Sequence, residues 1–424
     1  MSGSATTAAP PRGRALRRRA LWVVADQAVS SLANAALTVV IARTVSPEEY
    51  GAFALAFSVY SLVVALSQAV AGQVVVIHYS GAAADVLRRA SSSAAGTALL
   101  VGAVSAAVLL PLGLALGAPV RSVLLAVGVL LPALLVQDAW RTVFVARGTP
   151  AAAFVNDVVW ILLQAASIGV LVVVGVDTAY PYVLAWAGAA AVAALVGARQ
   201  NGAPPSPRTA PAFLRGHTDV SLPTLANSAA ILGALQLSFV LIAVVAAVSD
   251  VGALRAAQTL LGPLNILGFA ATSFAIPEIV RRSPGRRGLV LVALAISGTL
   301  VVVDLAWGAV LLLLPTAAGE ALLGDTWAGA RDALPGMIAY TCLIAATAGA
   351  TAVMCAVNRS VLAFWTSAAL GPLVLVLSVL GAATGGATGA SVGFAAAGAL
   401  VLPLCWVLLA RAARLGRRSS ATAE

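Results

Sequence analysis

The stretch LWVVADQAVSSLANAALTVVIARTVSPEEYG, running from Leu21 to Gly51, decides how the rest of the chain is read. It is a hydrophobic helix carrying Asp26, Gln27, Ser30, Ser31 and Asn34, closed by an Arg-Pro-acidic turn and a glycine. About two hundred residues later much of it returns. SLANAA at Ser31–Ala36 is echoed by TLANSA at Thr224–Ala229, and Val45-Ser46…Gly51-Ala52 by Val248-Ser249…Gly252-Ala253. Both copies open a half of the chain. The sequence therefore reads as a duplicated membrane unit, a common way to build transporters.

Composition points the same way. With 61% hydrophobic residues, 9% charged residues and a mean hydropathy of +1.00, a soluble fold is excluded in favour of a polytopic, all-α membrane protein. Uncharged apolar runs of about twenty residues recur, each long enough to cross a hydrocarbon core as a helix. They do not alternate as the strands of a membrane barrel would. All 25 basic residues are Arg and cluster between the apolar runs, so the net charge of +10 reflects membrane topology and not nucleic-acid binding. Cys342, Cys355 and Cys405 lie in apolar runs without metal-ligand spacing, and neither a metal nor a cofactor is expected.

Twelve spans are expected: 20–42, 53–77, 92–117, 121–145, 154–175, 179–198, 220–248, 253–279, 289–314, 333–357, 361–382 and 390–410. They form two pseudo-repeated six-helix bundles, residues 20–198 and 220–410, joined by a cytoplasmic linker at 199–219 rich in proline. Residues 1–19 and 411–424 read as basic cytoplasmic tails lying against anionic membrane lipids. Asp26 and Gln27 interrupt the apolar run that a cleaved signal peptide needs, so the first span is read as retained. With both termini in the cytoplasm, 21 arginines fall inside and only Arg43, Arg121, Arg255 and Arg331 fall outside. The expectation is a multi-pass protein of the cytoplasmic (inner) membrane.

Ionisable groups inside a span are expensive and deserve a functional reading. Asp26, Ser30 and Asn34 share one face of the first span, while Asp138 and Arg141 in the fourth lie at similar depth to Asn156 and Asp157 in the fifth. Two readings stay open for Asp26, Asp138, Asn156 and Asp157: a site for a coupling cation or proton, or a structural ion-pair cluster neutralised by Arg141 and Arg147. Asp304 stands alone in the ninth span. In the eighth, Arg255, Gln258, Gly262, Asn265, Phe269 and Thr272 share a face, and Pro263 and Pro277 permit a bend. Such a stripe suits a wet cavity receiving an anionic phosphate head group, because guanidinium binds phosphate bidentately. The alternative is an arginine snorkelling to the outer interface.

The run Ala42-Arg43-Thr44-Val45-Ser46-Pro47-Glu48-Glu49-Tyr50-Gly51-Ala52-Phe53 resembles the signature loop of polysaccharide-biosynthesis membrane proteins. These are the oligosaccharide-lipid flippases of the multidrug/oligosaccharidyl-lipid/polysaccharide export superfamily. Gly252–Asn265 resembles the matching segment of that family's second half. The resemblance implies two bundles working by alternating access on an undecaprenyl-diphosphate-linked glycan. Arg255 matches that family's habit of placing cavity arginines on the helices beside the cleft. With the stripe and the repeated asparagines, the expected substrate contacts are Arg255, Gln258, Asn265, Asn34 and Asn227, and glycan-assembly proteins are expected partners. The chain departs from the pattern in having few arginines placed to lie deep in a cavity. The acidic cluster loosely resembles the cation-coupling acids of the multidrug branch, which makes a cation-coupled small-molecule exporter the first rival. A membrane enzyme is disfavoured: the largest outer connection, about Pro315–Asp332, is short and has no His.

Overall fold

The computed structural model describes residues 29–282 and 285–420, and Asp26 and Gln27 lie outside them. Among the described residues every regular element is helical, and twelve helices answer to the twelve expected spans. They are α1 (Val29–Thr44), α2 (Pro47–Tyr79), α3 (Ala84–Leu114), α4 (Val120–Ala146), α5 (Pro150–Val174) and α6 (Ala179–Asn201). The second half follows with α7 (residues 218–245), α8 (residues 248–282), α9 (Arg286–Leu312), α10 (Thr326–Ala356), α11 (residues 360–384) and α12 (residues 387–420).

Several boundaries differ from the sequence reading, each for a local reason. Helix α2 starts at Pro47, not near 53, because Ser46 accepts a bond from the Glu49 amide and proline suits the first helical turn. The glycine-rich stretch between the last two spans narrows to one break. Helix α11 runs on through Gly381, and only Gly385 and Gly386 leave helical geometry, Gly386 with φ of 56°. The last helix continues through Ser420 instead of ending near 410. Helix α8 is broken at Leu261, just before Gly262 and Pro263, so its polar stripe is carried by two segments. Helices α2 and α7 each contain a π-helical turn, at Gln68–Gly72 and Ala229–Gly233.

The two halves are packed alike. In the first, α4 is central, touching α3, α5, α6 and α2; in the second, α10 touches α8, α9 and the α11–α12 pair. Even small-residue contacts repeat. A Cβ on Gly102 of α3 would run into Pro132 of α4, and one on Gly308 of α9 into Ile338 of α10, with both partners displaced by the same number of residues. The bundles meet through α2 against both α7 and α8.

The connecting segments gather at two ends. At the arginine-poor end, Glu49 accepts a bond from the Ala179 amide at 2.7 Å, capping α6, and Asp250 accepts one from the Ala387 amide at 2.9 Å, capping α12. Each carboxylate sits at a helix N-terminus, where unsatisfied amides and the helix dipole favour negative charge. Glu49 and Asp250 occupy corresponding places in the two repeats. Between them the backbones of α2 and α8 touch: a Cβ on Gly51 would overlap the Val248 carbonyl, and one on Gly252 would press on Gly51 and Tyr50.

At the arginine-rich end, the connection after α6 lies against α3, with Ser206 donating its amide to the Ser92 carbonyl at 2.8 Å. A two-turn helix, Ala210–Gly216, follows, and Arg147 is bonded to Asn201.

Replacing Gly51 by Val is expected to destabilise the protein by about 1–3 kcal/mol, the usual range for overpacking. The cause is backbone in the way, which no rotamer change relieves. Thermal unfolding of the purified protein in detergent checks this, and an unchanged midpoint would mean that α2 and α8 separate freely at this point.

Candidate functional site

Two polar groupings lie inside the membrane-spanning part. The first is built on α4, where residues four apart share a face. Gln137 and Arg141 look towards α5. Gln137 donates to Asp157 Oδ1 at 2.9 Å and to Asn156 Oδ1 at 3.3 Å, and Arg141 Nε stands 3.3 Å from Asp157 Oδ2. Ser30 of α1 donates to the same Oδ2 at 2.9 Å. Asp157 is thus a buried carboxylate held from α1 and α4, while the Arg141 side chain keeps 29% exposure. Asn156 turns the other way and donates to the Ala193 carbonyl of α6 at 2.8 Å.

Asp138 and Thr142, on the next face of α4, look towards α2. Gln68 donates to Asp138 Oδ2 at 2.5 Å and to Thr142 Oγ1 at 2.9 Å. Gln68 opens the π-helical turn of α2, and the missing Cβ of Gly72 leaves room for its amide. Beside Asp157 is a small pocket of about 20 Å³, lined by Ser30, Asn34, Asp157, Trp160 and Gln164 among others. It is large enough for roughly one water-sized group.

The second grouping is at the seam between bundles. Arg255 stands two turns into α8 and is half-buried. Its guanidinium lies 4.4 Å from the Phe57 ring centroid on α2, and its Nη1 donates to Gln258 Oε1 at 2.8 Å. A guanidinium over an aromatic face is attracted by the ring quadrupole. Phe57 begins an aromatic ladder into the first bundle. Trp186 of α6 lies 5.7 Å from Phe57 and 4.9 Å from Tyr60, and Trp160 of α5 donates its indole N–H to the Trp186 carbonyl at 3.0 Å. The ladder therefore runs from Arg255 to the wall of the Asp157 pocket.

The structure sorts the residues singled out in the sequence into separate places. Arg255 and Gln258 are together; Asn265 is exposed on the second segment of α8, beyond the break. Asn34 faces the small pocket, and Asn227 is exposed on the first segment of α7. Leu254 and Leu261, opposite the polar stripe, are buried in packing. Asp157 pairs with Arg141 and shares Gln137 with Asn156, whereas Asp138 is bonded to Gln68 on the neighbouring face of α4; Asp26 lies outside the described residues. Asp304 is 3% exposed in α9. Among the described residues no three His, Cys, Asp or Glu side chains group as metal ligands.

Gln137 and the Trp160–Trp186 contact are the functional-looking features that the sequence reading passed over. Gln137 was legible: it precedes Asp138 and is spaced four from Arg141. The tryptophans, on different helices, had no pattern to reveal them.

No protein-family model matches the chain, and no curated protein matches it by sequence. Solved structures do. The inward-facing conformation of a multidrug resistance MATE family transporter of the MOP superfamily aligns with a TM-score of 0.71 at 13% identity, covering 91% of this chain and 96% of that one. The lipid II flippase MurJ, in an inward closed conformation, aligns at 0.73 with 11% identity, covering 91% and 87%. An outward-facing MATE family transporter covers 95% of this chain and 96% of its own but scores 0.56, at 13% identity. The chain has the fold of these transporters.

Gln137→Leu is expected to take one hydrogen-bond donor from a buried carboxylate, at a cost of about 1–3 kcal/mol. Thermal unfolding measures it. Stability equal to wild type would mean that water replaces the lost amide and that the pocket is wetter than its lining suggests.

Proposed function

We propose that the protein is an alternating-access flippase that carries undecaprenyl-diphosphate-linked oligosaccharide units across the cytoplasmic membrane for cell-surface polysaccharide synthesis. The observation that carries this reading is Arg255. It stands at the seam between the bundles, two turns from the helix end, and turns to an aromatic ring of the opposite bundle. A guanidinium held there by one ring and one amide keeps donors for an anionic head group entering the seam. In this reading residues 20–198 and 220–410 move as bodies about the 199–219 linker, and both termini are cytoplasmic. The low count of outer arginines and the fold of a lipid II flippase support it.

Arg255→Ala is expected to abolish complementation of a glycan-export defect, while Arg255→Lys, which keeps charge but loses the planar fork, restores part of it. Membrane abundance of both variants should equal wild type. Full export by the alanine variant at normal abundance would remove Arg255 from the cargo path.

A second reading, a cation-coupled small-molecule exporter of the same fold, is favoured by the Asp157 pocket with its hydroxyl, amide and carboxylate lining. Asp157→Asn separates the two. If the carboxylate couples transport, the variant loses its dependence on an ion gradient; if it only pairs with Arg141, transport keeps that dependence at lower protein stability. Uptake or export assays in vesicles with the gradient collapsed and restored measure this.

A further inference from the structure

A cavity of about 380 Å³ lies between α2, α7 and α11, and neither polar grouping uses it. Leu62 and Leu66 of α2 close one side and Leu237, Pro372 and Leu375 the other, with Ser228 as the polar residue among its described lining. Its depth is informative. The lining residues fall near the middle of all three helices, so the cavity sits at the level of the hydrocarbon midplane. Its hollows come from small residues, including Ala229, Ala230 and Gly233 of the π-helical turn of α7. A Cβ on Gly371 would strike the Ala230 carbonyl, so α7 and α11 are closed on each other beside it.

An apolar space of this kind does not hold water well and forfeits dispersion contacts along its walls when nothing fills it. A polar cargo group gains nothing there. A hydrocarbon chain does. On the scale that gives the small pocket beside Asp157 room for one water-sized group, this space is nearly twenty times larger. It takes a hydrocarbon segment of on the order of ten carbons, two isoprene units. Position matters as much as size. The cavity lies between the bundles, with α2 on one side and α7 and α11 on the other, and Leu62 follows Phe57 by five residues, about 8 Å along the helix. A diphosphate at Arg255 and the first isoprene units in this cavity would thus be within reach of one molecule. Methyl-sized hollows at Ala65, Ala230, Gly233 and Ala368 between the leucines suit a branched chain better than a straight one.

We propose that this cavity is a binding site for the lipid end of the cargo, holding the first isoprenoid units of the polyprenyl chain inside the protein instead of leaving them in the bilayer. The inference rests on the lipid-linked cargo reading above.

Its test uses the purified full-length protein in detergent with three soluble probes: geranyl diphosphate, decyl diphosphate and methyl diphosphate, with binding followed by intrinsic tryptophan fluorescence. Geranyl diphosphate is expected to bind at least tenfold more tightly than methyl diphosphate, and more tightly than decyl diphosphate. Ala368→Phe, which fills the cavity, should erase that gain and leave methyl diphosphate binding unchanged; Ala65→Leu, a smaller filling, should reduce it. Unfolding curves of both variants establish that they are folded. A chain-dependent gain that survives in both folded variants overturns the tail site while leaving the cargo reading in place. Equal affinity for the geranyl and decyl probes overturns the isoprenoid assignment. Failure of wild type to bind any of the three diphosphates overturns the cargo reading itself, and the tail site with it.

Discussion

The close approach of α2 and α8 at Gly51 and Gly252 is the constraint on which the arrangement of the two bundles depends. Backbone meets backbone there, and a methyl group on Gly51 would occupy the place of the Val248 carbonyl. Small residues permit this kind of helix contact in membranes, where apolar side chains gain little from leaving lipid. The contact also fixes its neighbours. Glu49 and Asp250, just ahead of the two glycines, reach in matching fashion to the first amides of α6 and α12, so the last helix of each bundle is tied to the second. One duplicated segment thus sets the spacing within each half and the crossing between halves.

The polar interior follows from a different constraint, the cost of placing charge in hydrocarbon. Helix α4 meets it by dividing its polar residues between two faces. Gln137 and Arg141 satisfy Asp157 on α5, whereas Asp138 and Thr142 are satisfied by Gln68 from α2. The second arrangement needs the π-helical turn in α2, which rotates Gln68 onto α4, and Gly72, which makes room for it. The first bundle is accordingly held by a network that leaves Arg141 partly exposed. In the second bundle the buried polar residues include Gln236 of α7, Ser297 and Asp304 of α9 and Ser391 of α12.

Much of this was legible in the sequence because membrane helices must be long, apolar and flanked by charge. Twelve runs, the six-and-six division and the repeat could all be read from those requirements. So could the pairing of Asp157 with Arg141, since equal depth on neighbouring helices leaves few other partners. What could not be read depends on contacts between distant segments. The Gly51–Gly252 pair was visible as a repeated letter, but not as a touching pair. Nothing local to Glu49 or Asp250 showed that they cap helices more than a hundred residues away. Pro263 signalled a bend in α8, but not a break at Leu261 that parts Asn265 from Arg255. The π-helical turns carry no sequence mark beyond small residues.

A transporter that opens to one side at a time must form and break a closure at each end in every cycle, and this restricts what a closure can be made of. The arginine-poor end closes where the two glycines let α2 and α8 meet backbone to backbone, with Tyr50, Phe53, Val251 and Leu254 buried around them. Each acid there is bonded within its own bundle. At the arginine-rich end, α2 meets the start of α7 through side chains: His78 Nε2 lies 3.4 Å from Asp219, and the Tyr79 hydroxyl lies 3.0 Å from His217 Nε2. Pairs of this kind at partly exposed positions are worth little individually. Strong bonding is kept inside each bundle, as between Asp157 and its three donors, and weak bonding is left between bundles. Under the alternating-access reading proposed above, that division lets the glycine contact part while each bundle keeps its own bonds.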